Sequence, residues 1–169
     1  VRSLIVAALV FAAPATAEET LRFFPPAGFT GVHVSDSGAV RLTDYVGEGQ
    51  ALDGWTDAIT VAELRGTGLD APGFVAGLSA DLLARCARAF DMDPEVFEAG
   101  GRRSTMSIHA CPNHDVSGRP EISLLRVIEG DDVLFAVQRS WVVSPPREDL
   151  LEWSEWIRAL QVCDGQTCG

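Results

Sequence analysis

Two apolar runs, Glu121 to Ile128 and Val133 to Val143, are separated only by Glu129-Gly130-Asp131-Asp132. Polar, turn-forming residues in so short a gap dictate an antiparallel hairpin, because a parallel return needs a crossover of about a dozen residues or more. A third strand is expected from Ser104 to Ala110, after the Gly100-Gly101 breaker, so an antiparallel meander occupies the second half of the chain. Earlier, Gly31 to Val34 reads as a strand, and Asp36-Ser37-Gly38 closes a hairpin. Val40, Leu42 and Asp44 then alternate with Arg41, Thr43 and Tyr45 on a strand with two unlike faces, and Ala58 to Leu64 reads as a buried strand.

Two stretches switch to helical spacing. Asp70-Ala71-Pro72 opens the first, and Val75, Leu78, Leu82, Cys86 and Ala89 fall on one stripe as far as Phe90. The second opens at Ser144-Pro145-Pro146, with Ser144 as a cap and Glu148 and Asp149 at the positive end of the helix dipole. Its stripe of Leu150, Trp153, Trp156, Ile157 and Leu160 has the spacing of a packed face. Strands that surround two helices without regular β-α alternation predict an α+β fold, an antiparallel sheet covered by helices.

Residues 1–17 form a separate unit. Arg2 precedes an apolar run from Leu4 to Ala13, and Ala15 and Ala17 supply the small residues of an export-peptidase site. That run is shorter than the roughly 20 residues a spanning helix needs, and no later run is longer. The expected organisation is a cleavable signal over 1–17 and a single domain over 18–169, delivered to the bacterial periplasm or secreted. All four cysteines, Cys86, Cys111, Cys163 and Cys168, lie in the second part, where an oxidising compartment favours disulfides. Three pairings are open; the short loop through Asp164, Gly165 and Gln166 favours Cys163 with Cys168, which leaves Cys86 for Cys111. The formal charge of −11, with every basic side chain an Arg and no Lys, disfavours nucleic acid and anionic lipid as partners. Arg102-Arg103 reads as a solvated turn before a strand.

Candidate chemistry is sparse. His109, Cys111, His114 and Asp115 are the one dense group of potential ligands, and with Asn113 they also suggest a Cys-His nucleophile pair. A bridged Cys111 could be neither ligand nor nucleophile, so His109 and His114 remain weak metal candidates and neither a metal nor another cofactor is expected. Paired acids at Glu18-Glu19, Asp131-Asp132 and Glu148-Asp149 suit a terminus, a hairpin and a helix start, and no Ser sits in a Gly-x-Ser-x-Gly elbow. The loop carrying Tyr45, Glu48, Gln50 and Trp55 combines aromatics with flexible glycines, as recognition loops do.

The segments Tyr45-Val46, Glu48-Gly49-Gln50, Trp55-Thr56-Asp57, Ile59-Thr60-Val61, Ala110-Cys111-Pro112, Arg119-Pro120-Glu121 and Val137-Gln138-Arg139 together resemble a group of uncharacterised exported bacterial proteins, a resemblance that implies no activity. The element order and the Pro26-Ala27-Gly28-Phe29 turn are more loosely similar to the α+β sandwich of Mog1-, PsbP- and DcrB-type proteins. Fold does not imply function. The leading expectation is a non-catalytic exported domain that binds another protein or an envelope component. Its alternatives are a small secreted hydrolase or metal-binding enzyme using His109, Cys111 and His114, and a secreted inhibitor or immunity-type protein.

Overall fold

The computed structural model describes residues 18–86, 88–114, 118–165 and 167–168. The expected signal at 1–17 lies outside them, as do Asp115 and Gln166. In chain order the elements are β1 (Glu19–Arg22), β2 (Phe29–Asp36), β3 (Val40–Gly47), β4 (Asp57–Arg65), α1 (Ala71–Arg85), β5 (Phe90–Asp91), β6 (Glu95–Ala99), β7 (Arg102–Cys111), β8 (Glu121–Glu129), β9 (Val133–Trp141), α2 (Arg147–Arg158), β10 (Gln161–Asp164) and β11 (Thr167–Cys168). The fold is α+β.

The β8–β9 hairpin lies at the centre of an eight-stranded antiparallel sheet ordered β2-β3-β4-β9-β8-β7-β5, with β6 also paired to β7. Its register sets the two faces. Leu124, Ile128, Phe135, Val137 and Trp141 point to one side and meet Ile157 of α2 and Val162 of β10. Leu125, Val127, Leu134 and Ala136 point to the other and meet Ala71 and Val75 of α1. A three-stranded sheet, β1-β10-β11, joins α2 on its side, so the main sheet is covered on both faces.

The hairpin turn is tight for a steric reason. A Cβ at Gly130 would lie 2.7 Å from the Val133 carbonyl oxygen and would also collide with the Glu19 carboxylate, which accepts the Asp131 amide at 2.6 Å. Gly130→Ala is expected to cost about 1–3 kcal/mol in urea unfolding, the usual penalty of overpacking against groups that cannot yield.

Helix α1 begins as its sequence dictates, with Asp70 accepting the Gly73 amide at 2.8 Å and Glu129 of β8 accepting the Ala71 amide at 2.9 Å. It ends earlier than the apolar stripe implies. Cys86 leaves helical geometry, bonded to Cys111 on β7, and the chain that was expected to continue the helix to Phe90 instead adds β5 to the sheet. Ser144 does not cap α2. Pro146 occupies the cap position without a side-chain hydrogen bond, and Glu148 and Asp149 stand in the first turn, where negative charge complements the helix dipole. β9 stops at Trp141, short of Val143. Strands β1, β6, β10 and β11 were not expected; three of them are four residues or fewer, or end in a hairpin closed by the Cys163–Cys168 bridge.

Candidate functional site

The α1 face of the sheet carries an unusual set of buried polar residues. On β7, Ser107 and His109 share a face by strand alternation, and His109 Nε2 lies 2.7 Å from Ser107 Oγ. Antiparallel pairing places Asp91 of β5 opposite His109, with its Oδ1 3.0 Å from Nδ1 but off the line of a good hydrogen bond. The result is a Ser-His-Asp line in which serine and histidine are both at most 5% exposed.

Burial lowers the His109 pKa below its ordinary 6.5, an effect larger than the opposing pull of Asp91. The unfolded chain therefore takes up this proton first as pH falls. Stability contributed by neutral His109 is complete above about 6.5 and is lost progressively below it, until the folded-state histidine also titrates. Urea unfolding across that range should show a slope that His109→Gln flattens.

The line does not form a nucleophilic site. Ser107 is buried at 4% exposure and does not line the adjacent hollow. Its strand is paired on both sides, to β8 and to β5 and β6, so the neighbouring amides are committed to ladders rather than aimed at an oxyanion. Cys111 is bridged to Cys86 with 6.0 Å between Cα atoms, and Cys163 is bridged to Cys168. No free thiol remains. Among the described residues no group of three or more His, Cys, Asp or Glu side chains could hold a metal ion.

Next to His109 lies a hollow of about 80 Å³ lined by Leu78, Leu82, Cys111, His114, Glu121 and Gln138, with Ser123 at its floor. Glu121 Oε1 accepts from Ser123 Oγ at 3.2 Å and from Ser140 Oγ at 3.1 Å. Gln138 Nε2 donates to both hydroxyl oxygens, at 3.0 and 2.9 Å. Sequence reasoning singled out His109, Cys111 and His114 but missed Asp91, Ser107, Glu121, Ser123 and Gln138. A Ser-x-His pair on a strand was a usable signal; the partners from β5, β8 and β9 depend on sheet register.

The expected recognition loop is placed differently. Tyr45 packs on Phe23 at 5.1 Å between ring centroids, on the α2 face. Gln50 clasps Thr56, donating to its Oγ1 at 2.9 Å and accepting its amide at 2.8 Å. Trp55 is half-buried under the Arg119 guanidinium, which also donates to the Trp55 carbonyl at 2.9 Å, while Glu48 is exposed. None of the four lines the hollow.

Neither protein-family models nor curated proteins give a match to this chain. Among solved structures it is similar to the Saccharomyces cerevisiae Ran-binding protein Mog1p, at 12% identity over 83% of this chain and 84% of that one, with a TM-score of 0.49. A Mog1 mutant is similar at the same identity and coverage, with a TM-score of 0.48. The likeness is a loose one of fold.

Proposed function

We propose that the chain is an exported, non-catalytic binding domain, with residues 1–17 as a cleavable signal and 18–169 as one domain that engages another protein or an envelope component in the periplasm or outside the cell. The observation that supports this reading is that the candidates for covalent chemistry around the hollow, the cysteines and the Ser107-His109 pair of the Ser-His-Asp line, are all bridged or buried. Both cysteine pairs are bridged, and in the Ser107-His109-Asp91 line the serine and histidine are buried, with Ser107 not among the residues that line the hollow. Two disulfides suit an oxidising compartment. No helix among the described residues is long and apolar enough to cross a membrane.

The reading is tested by pull-down from a periplasmic extract together with a panel of ester, peptide and glycan substrates. A reproducible partner without turnover supports it. Turnover that disappears in Ser107→Ala and His109→Gln, with no partner captured, overturns it.

A further inference from the structure

The sheet face beneath α1 changes character halfway along the helix. Under Ala71 and Val75 it offers Leu125, Val127, Leu134 and Ala136, an ordinary apolar core. Under Leu78 and Leu82 it offers Glu121, Ser123, Gln138 and Ser140, and a hollow remains where a core would be filled. A second space of about 170 Å³, sharing Leu78, Leu82, Cys111 and His114, extends it past Asp81, Arg85 and Cys86.

The hydrogen bonds on this floor all run one way. The Gln138 amide donates to Ser123, Ser140 and, at 3.4 Å, Glu121 Oε1, and both hydroxyls donate to the same Oε1. The two serine oxygens lie 2.9 Å apart and with Oε1 form a triangle that Gln138 Nε2 caps, at 3.0, 2.9 and 3.4 Å from its corners. Beside this network Glu121 is, among the described residues, the only carboxylate lining the hollow, with the His109 and His114 rings on the adjoining walls. Glu121 forms no ion pair among the described residues, and its hydrogen bonds with them fall on Oε1, leaving Oε2 to a ligand. One unpaired carboxylate in a hollow of about 80 Å³ suits a compact ammonium better than a broad planar guanidinium. The walls that lead to it, Leu78, Leu82 and the Cys86–Cys111 bridge, suit a methylene chain. The chain contains no lysine with which to fill the space itself, and its charge of −11 draws cations toward it.

We infer that this hollow binds the ammonium end of an aliphatic chain, with the Glu121 carboxylate holding the head and Leu78 and Leu82 the stem. The inference rests on the binding reading above and names the chemistry of what is bound. A free alkylamine and a lysine side chain of a partner present the same group.

Calorimetric titration of the purified, disulfide-bonded protein with n-butylamine, n-butanol and butyrate tests the head group. Saturable binding of the amine alone is expected, weakened at least roughly tenfold by Glu121→Gln, whose folding near-ultraviolet circular dichroism verifies. Leu82→Phe, which fills the mouth without touching the acceptors, should weaken it as well. An acetylated, amidated Gly-Lys-Gly peptide and its norleucine counterpart separate the sources: lysine peptide binding tighter than butylamine assigns the site to a protein partner, and the reverse order to a free amine. Equal binding of butanol or butyrate, unchanged affinity in both variants, or no binding of either amine overturns the inference. In that event a captured partner still leaves the binding reading standing, whereas turnover with amine binding intact removes that reading alone.

Discussion

Arg126→Met is expected to lower the unfolding free energy by about 3–5 kcal/mol. Arg126 sits in the middle of β8 at 1% exposure. Its Nη1 donates to the carbonyls of Ile157, Arg158 and Leu160 at 2.9, 2.7 and 2.9 Å. These are orphan acceptors at the C-terminal end of α2, which an isolated helix would leave to water. Nε and Nη2 reach Ser104 Oγ on β7, at 3.3 and 3.0 Å, and the guanidinium lies over the Phe97 ring. One side chain thus ties β7, β8 and α2 together and places a positive charge at the negative end of the helix.

Burial, with a smaller contribution from the Arg158 charge, pushes the Arg126 pKa down to about 10, so it stays protonated at neutral pH. Methionine fills similar volume and recovers that desolvation cost, which is why the expected loss falls below the sum of three abandoned carbonyls. Urea unfolding followed by tryptophan fluorescence checks both parts. Trp153 and Trp156 report on α2, and their transition should move to lower urea with the global one. A loss under about 1 kcal/mol would mean that water satisfies the α2 carbonyls as well as Arg126 does.

Arg126 also marks where the sequence stops being legible. The run Glu121 to Glu129 reads as a strand because Leu124, Leu125, Val127 and Ile128 are apolar, and nothing local says that the arginine among them points inward. Its carbonyl partners at and just past the end of α2 lie more than thirty positions away, and Ser104 lies on another strand. Arg139 repeats the pattern on β9, buried among Phe29, Trp141 and Trp153 with Asp57 at 2.7 Å. Strands with strong alternation or long apolar runs, and turns with special chemistry, were readable one segment at a time. So was the start of α1, where Asp70 and Pro72 act through local geometry.

What escaped was whatever depends on another segment. The two-residue β5 exists because Phe90 and Asp91 lie against Ala110 and His109, beside the Cys86–Cys111 bridge. β1 is held by β10 from the far end of the chain. The hollow follows the same rule. His109 was visible as a chemical residue, but its meaning changed once β5 supplied Asp91 and the same strand supplied Ser107. Glu121 looked like the first residue of a strand, and only sheet register places Ser123, Gln138 and Ser140 around it.

Removing the Cys86–Cys111 bridge by a double alanine substitution should cost about 3.5 kcal/mol, against about 2 kcal/mol for Cys163–Cys168, on loop-closure entropy alone. The difference comes from sequence separations of 25 and 5. Structure widens it. Cys86 is the residue at which α1 ends, and the bridge pins that end to β7 beside Leu82 and the hollow. Without it the last turns of α1 have only half-buried Leu78 and Leu82 to hold them, since the apolar core of that face lies under Ala71 and Val75. The Cys163–Cys168 bridge closes a hairpin already paired in register with β1 and is remote from the α1 face. Both variants can therefore be separated by two readouts. Loss of Cys86–Cys111 should lower stability and abolish butylamine binding, whereas loss of Cys163–Cys168 should lower stability less and leave binding within about twofold. Partial reduction followed by alkylation and mass spectrometry adds a kinetic check: Cys86 and Cys111 are 4% and 3% exposed, while Cys168 is only half-buried, so the hairpin bridge opens first under native conditions. Equal destabilisation by the two variants, with binding retained in both, would show that α1 is held down by its side chains and that the bridge merely records their proximity.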